Sequence, residues 1–188
     1  MARLLAFFQV SLDGYFADAA GGLDWARPDP HDAEWNDYVS ANATGGGMLL
    51  FGRVTYELMA SYWPTAYALE NDPVIAGQMN RLPKLVFSRS LESVAWANTR
   101  LAQGDLLSIV RQLKANAGED MAILGSGSIV LQLAQAGLID EFQLVVNPVL
   151  LGQGRAIFAS LAQPLRLRLI STRAFGNGNV VLSYAPAT

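Results

Sequence analysis

The chain has no cysteine and a single histidine, His31, in its 188 residues. The first absence excludes disulfides, thiolate nucleophiles and cysteine-ligated metals. The second leaves no basis for a Ser-His-Asp triad or a multi-histidine zinc site, so no metal is expected. Charge is also sparse: charged residues make up 15%, the net charge is −3, and the 13 basic residues are scattered. No basic face for nucleic acid is visible. No apolar run approaches the ~20 residues of a membrane helix. Met1 to Val10 carries one arginine and a short apolar stretch, but Gln9 and Asp13 interrupt it and no small-residue cleavage site follows. It reads as a first strand and not as a signal peptide, and a cytoplasmic location is expected. There is no repeat, linker or low-complexity segment, and 52% of the residues are apolar, so residues 1–188 are expected to form one globular domain. Any chemistry must come from carboxylates, hydroxyls, arginines or a bound cofactor.

What is present is a recurring junction. Met121 to Leu124 is a short apolar run of the kind found in strands covered on both faces. Gly125-Ser126-Gly127-Ser128 follows, then a helical pattern with Ile129, Val130, Leu133 and Ala134 apolar. Ser126 or Ser128 is expected to cap that helix. A strand, a glycine turn and a helix N-terminus gather free N–H groups at one point, which suits a phosphate, although such turns also occur for packing alone. Met48 to Phe51 leads in the same way through Gly52-Arg53-Val54-Thr55 into a second helix. Arg53 there can form a forked bond to a phosphate or cap its own surface. Pro83 to Phe87 ends at Ser88-Arg89, a third strand end with a second arginine. In an open parallel sheet these ends share one edge, and ligands bind there. Two arginines and two helix N-termini suit a dinucleotide with an extra 2′-phosphate.

The remaining pattern supports one α/β domain. Arg3 to Val10 reads as a central strand, followed by a loop in which Gly14 turns and Pro28 and Pro30 prevent helix. Tyr15, Phe16 and Trp25 make that loop a candidate pocket wall or an aromatic-anchored surface loop. Helices are expected at Asp32–Ala43, ended by Gly45-Gly46-Gly47, from Gly52 to Pro64, at Asp72–Asn80 and at Asp105–Ala115; Val94 to Trp96 reads as a short strand. Glu141 to Val146 is a strand, and Leu165 to Phe175 and Val180 to Tyr184 flank the hairpin turn Gly176-Asn177-Gly178-Asn179. The expected architecture is a mixed, mostly parallel central sheet flanked by helices, with a C-terminal antiparallel hairpin.

Asp13-Gly14, Gly52-Arg53-Val54-Thr55-Tyr56-Glu57, Val86-Phe87-Ser88-Arg89 and Gly125-Ser126-Gly127-Ser128 occur in an order and spacing that resembles the dihydrofolate reductase-like fold. Ser11 to Asp18, Leu138-Ile139-Asp140-Glu141 and Pro148 to Gly154 look like the reductase domain of bacterial riboflavin biosynthesis deaminase-reductases and its stand-alone relatives. The resemblance covers essentially the whole chain and implies a three-layer fold that binds NADPH across the sheet edge. It implies that Gly52, Arg53 and Thr55 hold the 2′-phosphate side of the adenosine with Ser88 and Arg89 nearby. Gly125, Ser126, Gly127, Ser128 and Ile129 would cradle the pyrophosphate, and Gln9, Phe16 and Ala17 would border the nicotinamide. The implied activity is hydride transfer to a small heterocyclic, carbonyl or imine substrate. Two alternatives are a nucleotide-binding module without turnover and a dihydrofolate or pterin reductase. Asp13 is the first candidate for a substrate-side polar group, or it closes its own loop by a side-chain-to-backbone bond. Asp32 is the candidate proton donor, with Glu34, Asn36 or Asp37 in other registers. Trp25, Trp35, Met59 and Trp63 are candidate substrate contacts. Val54 stands where many dihydrofolate reductases carry a basic residue, the pterin-tail arginine has no counterpart, and no attached deaminase domain with zinc ligands is expected. The resemblance also implies a homodimer, for which the apolar C-terminal strands suit an isologous interface.

Overall fold

The computed structural model describes residues 1–27, 29, 31–43, 47–116 and 118–187. The breaks expected at Pro28, Pro30, Gly45 and Gly46 lie outside the described residues.

The sheet grows from β1 (Leu4–Ser11), whose alternate residues serve two faces. Leu4, Ala6, Phe8 and Val10 enter the main core, while Leu5, Phe7 and Gln9 are only partly covered. β3 (Met48–Gly52), β4 (Lys84–Phe87), β5 (Thr99–Leu101), β6 (Met121–Leu124) and β7 (Glu141–Asn147) run parallel to β1, and β10 (Val180–Pro186) and β9 (Leu167–Ala174) complete the sheet. The order is β5-β4-β3-β6-β1-β7-β10-β9, with β10 antiparallel to both neighbours. A separate ribbon pairs β2 (Ala17–Asp18) with β8 (Gly154–Arg155). The mostly parallel sheet with an antiparallel C-terminal pair therefore matches the sequence expectation. Val94 to Trp96 is a correction: it is not a strand, because Tyr56 Oη holds the N–H groups of Ala95 and Trp96 in a loop, and the edge strand lies at Thr99–Leu101.

One face carries α5 (Leu106–Ala115) and α6 (Gly127–Gln135), whose Val110, Val130 and Leu133 seal the core over Leu50 and Ile123. Asp105 caps α5 by accepting from the Ser108 N–H at 2.9 Å, as the apolar stripe that follows it requires. The other face carries α1 (Ala33–Ala43), α2 (Arg53–Tyr62), a short α3 (Ala66–Asn71) and α4 (Pro73–Arg81). Here two separate clusters form. Trp35 of α1 packs on Val145, Phe175 and Val181, while Tyr56 of α2 and Met79 of α4 pack on Leu49, Phe51 and Val86. Between these clusters the sheet face over β1 and β6 is left open.

A buried cation braces α4. Lys84 is 2% exposed, and its ammonium donates to the carbonyls of Met79 and Leu82 at 2.7 Å each and of Asn80 at 3.3 Å, beneath the Trp96 ring at 4.4 Å. It supplies the donors that the last turn of α4 lacks.

Candidate functional site

The sheet order sets the site. The C-terminal ends of β4, β3, β6 and β1 lie side by side. Three strand spacings separate β4 from β1, roughly 14 Å, a span suited to an extended dinucleotide. The three junctions singled out in the sequence therefore share one edge.

Two of them are bonded together. Ser126 Oγ accepts the Gly52 N–H at 3.0 Å, and Thr55 Oγ1 accepts the Ser126 N–H at 3.1 Å. These bonds fix the start of α2 against the turn before α6. They also change the expected role of the serines: Ser126 is the N-cap residue of α6 but its side chain makes no capping bond, because its hydroxyl is committed to Gly52. The turn needs left-handed backbone at two successive residues, with φ +62° at Gly125 and +50° at Ser126. Glycine adopts this freely, and serine does so at a cost that the two bonds offset. Among the described residues the Gly127 and Ser128 N–H groups have no partner, while Ile129 N–H is bonded to Ser126 O at 2.9 Å and the Ile129 side chain is core. A helix of 9 residues thus begins with no side-chain cap and two open donors at the sheet edge.

Both arginines lie to one side of this point, Arg53 at the end of β3 and Arg89 just past the end of β4. Arg53, the first residue of α2, pairs with Glu57 at 2.9 Å, with both side chains about half exposed. Such an exposed pair is worth little and releases easily. Arg89 is exposed and makes no ion pair among the described residues. Ser88 accepts the N–H groups of Ser90 and Leu91 at 3.1 and 3.0 Å, which shapes the turn that presents Arg89.

From this edge a cleft of about 650 Å³ runs down the open face between α1 and the α2–α4 pair. Gln9, Phe16, Ala17, Thr55, Gly125 and Ser126 border its upper end, and Met59 and Trp63 line one wall. Gln9 Oε1 accepts from Asn147 Nδ2 at 3.3 Å. The Phe16 ring lies against Gly127, where a Cβ would come within 3.2 Å of Cζ. Trp35 is a correction: at 3% exposure it is core under α1 and does not line the cleft. Trp25 stands beside the cleft, bonded through Nε1 to Gly22 O at 3.3 Å, while Leu23, Ala26 and Arg27 line it.

The two candidate carboxylates are engaged elsewhere. Asp32 accepts the Trp35 N–H at 3.0 Å as the cap of α1, and it is absent from the cleft wall. Asp13 accepts from Ser11 Oγ at 2.6 Å, from Leu151 N–H at 3.1 Å and from Gly152 N–H at 2.7 Å. The Ser11 hydroxyl first, then the two backbone donors, hold its carboxyl below the usual value despite some desolvation. A carboxylate held ionised in this way ties the loop after β1 to the loop after β7. Its tether is present above the unfolded carboxylate pKa and is lost as pH falls through the lowered one. Asp13→Ala is therefore expected to speed amide hydrogen exchange at Leu151 and Gly152 at neutral pH, whereas unchanged exchange would mean that the loops hold without it.

Sequence reasoning missed the β2–β8 strap. Gly154 is its only readable signal: a Cβ there would collide with the Ala17 carbonyl oxygen and with the Tyr15 ring at 2.9 Å. The strap brings Arg155 to the cleft mouth beside Gly21. Tyr38, also missed, lines the cleft, and its hydroxyl is buried without a partner among the described residues. Among those residues there is no cluster of three or more His, Cys, Asp or Glu suited to a metal, and no helix long and apolar enough to cross a membrane.

The sheet order and the sheet-edge site define a dihydrofolate reductase-like α/β domain. Dihydrofolate reductase from Enterococcus faecalis, solved with NADP(H) and RAB-propyl, superposes with a TM-score of 0.61 at 15% identity over 99% of this chain and 97% of its own. The putative riboflavin biosynthesis protein of Shewanella sp. PV-4 superposes with a TM-score of 0.76 at 24% identity over 100% of both chains. Residues 2–181 match the RibD C-terminal domain, and the chain belongs to that family. The uncharacterized protein YyaP of Bacillus subtilis is 30% identical over 97% of this chain and 94% of its own length.

Proposed function

We propose that the protein is an NADPH-dependent reductase that uses the edge of β4, β3, β6 and β1 for the nucleotide and the adjoining cleft for the acceptor. The uncapped start of α6, with Gly127 and Ser128 N–H groups open on the same sheet edge as Arg53 and Arg89, is the observation that carries this reading. These residues fit a dinucleotide: the N–H pair faces the pyrophosphate, Gly52, Arg53 and Thr55 face the 2′-phosphate side, and Ser88 and Arg89 lie next to it. Gln9, Phe16 and Ala17 border the nicotinamide end. NADPH, when bound, supplies the hydride. The protein places the acceptor beside it, and the balancing proton comes from solvent. Asp13 positions the loops that close the site, and Asp32 holds the start of α1 that forms the cleft wall.

Titrating NADPH against tryptophan fluorescence tests the reading, because Trp63 lines the cleft. Quenching together with NADPH oxidation in a panel of carbonyl, imine and pterin acceptors is expected. Quenching without oxidation by any acceptor would favour a binding module, and no quenching at millimolar NADPH would refute nucleotide binding.

A homodimer in the cytoplasm belongs to the same proposal. Every residue of β9 is exposed, and Leu165, Leu167, Leu169 and Ile170 are 38 to 48% exposed. A bare apolar edge strand invites pairing with a second copy. Leu169→Lys is expected to convert a dimer to a monomer in sedimentation, and a monomeric parent protein would contradict the assignment.

A further inference from the structure

Three arginines line the cleft: Arg3, Arg27 and Arg155. Two of them are answered by a carboxylate. Arg3 is bonded to Glu141 at 2.8 Å, and Arg27 is bonded to Asp24 at 2.7 Å within the loop after β1. Arg155 differs from both. Among the described residues its side chain makes no ion pair and no hydrogen bond.

The β2–β8 strap fixes where this cation stands. Arg155 pairs with Ala17 in the ribbon, and Gly154 pairs with Asp18. Successive side chains of a strand point to opposite sides, and residues directly across from one another share a side. Arg155 therefore lies on the side of Ala17, which borders the head of the cleft, and Asp18 lies on the other. The Asp18 carboxylate is spent there on the Gly22 N–H at 2.7 Å.

The mouth is shaped around the guanidinium. It lies across Gly21, where φ is +90° and a Cβ would come within 3.2 Å of Cζ. A side chain at position 21 would crowd the guanidinium and strain the backbone at once. The nearby backbone donors are already used inside the loop: Gly21 N–H bonds Asp18 O at 3.0 Å, and Ala26 N–H bonds Leu23 O at 2.9 Å. The guanidinium carries five N–H donors and no acceptor, in a fork that fits two oxygens of one anionic group. Its place across the ribbon from Ala17 puts that fork within one arginine side chain of the nicotinamide end.

We propose that the acceptor carries an anionic group, a carboxylate or a phosphate ester, close to its reducible C=O or C=N bond, and that Arg155 binds this group with its forked guanidinium. This deepens the reductase reading and rests on it. The strap then has a task in the site: it holds a specificity-determining cation over the mouth.

The test uses three ketones with one aryl body: 4-acetylbenzoate, 4-acetylphenyl phosphate and the neutral 4-acetylbenzamide. Each is titrated calorimetrically into the full chain with NADP⁺ present. At least one anion is expected to bind about 10-fold more tightly than the amide, and which anion does so identifies the group as carboxylate or phosphate. Arg155→Gln is expected to remove that preference while leaving the amide affinity, the NADP⁺ affinity and the melting temperature unchanged. Arg155→Lys, which keeps the charge but loses the fork, is expected to retain part of it. A merely structural arginine would instead lower the melting temperature and weaken all three ketones alike. Binding of none of the ketones, no preference for an anion, or a preference that survives in Arg155→Gln overturns the proposal. A loss of NADP⁺ affinity in Arg155→Gln also overturns it, because the arginine would then serve the nucleotide. The parent protein's own NADP⁺ titration separates the two claims: failure to bind NADP⁺ with the anion preference intact would refute the reductase reading, and the reverse would refute only the role of Arg155.

Discussion

Arg53→Ala is expected to weaken NADPH about 10- to 100-fold and to leave NADH nearly unchanged. Arg53 opens α2, and its present partner is Glu57, four residues on in the same helix. Exchanging that exposed pair for a 2′-phosphate replaces a weak contact by a charge-assisted, forked one of about 1.5–3 kcal/mol. NADH has no phosphate there, so the alanine costs it little. Titration of both nucleotides against the variant checks the assignment, and equal losses would remove Arg53 from the 2′-phosphate site. Val54, where a second cation could have stood, is 66% exposed and apolar, so the selectivity falls on Arg53 and Arg89.

Lys84→Met is expected to destabilise the protein by about 2 kcal/mol, or a fall of about 4–8 °C in melting temperature. Methionine fills similar space but leaves the carbonyls of Met79, Asn80 and Leu82 without their shared donor. Some of that cost is offset because a buried charge is removed with it. Burial pushes the ammonium from 10.5 down to about 8. The unfolded chain therefore binds the proton more tightly, and this contribution to stability is complete above pH 10.5 and lost as pH falls through about 8. The gap between parent and variant should widen from pH 8 to pH 10.5 in denaturant titrations at several pH values. A gap that is flat or narrows would show that the three carbonyls, which favour the charged ammonium, outweigh its desolvation. The consequence for the site is indirect: α4 supplies Met79 to one wall of the cleft.

How much of this was legible in the sequence follows from which interactions are local. The strand–glycine–helix junctions at Gly52 and Gly125 are written in short runs of adjacent residues, and their common edge follows from parallel topology. The cap at Asp105 and the hairpin at Gly176–Asn179 are local in the same sense. Trp35 was misplaced because an aromatic residue on a helix stripe faces either core or cleft, and only the position of Phe175, far along the chain, decides which. The β2–β8 strap joins residues 17–18 to 154–155 through two residues each, too short for any periodicity to mark. Asp13 and Asp32 were readable as useful carboxylates, but their bonding to Gly152 and Trp35 was not, because a carboxylate's role depends on which donors reach it. Val94 to Trp96 has the composition of a strand and is overruled by one tyrosine hydroxyl 39 residues earlier.

On the proposed reading the edge of β4, β3, β6 and β1 holds NADP(H). A crystal structure of the protein with NADP⁺ tests it most directly. The pyrophosphate is expected on the Gly127 and Ser128 N–H groups, the 2′-phosphate on Arg53 with Glu57 released, and the nicotinamide beside Gln9 and Ala17 over the head of the cleft. A nucleotide bound elsewhere, or one whose pyrophosphate leaves those two N–H groups untouched, would contradict it.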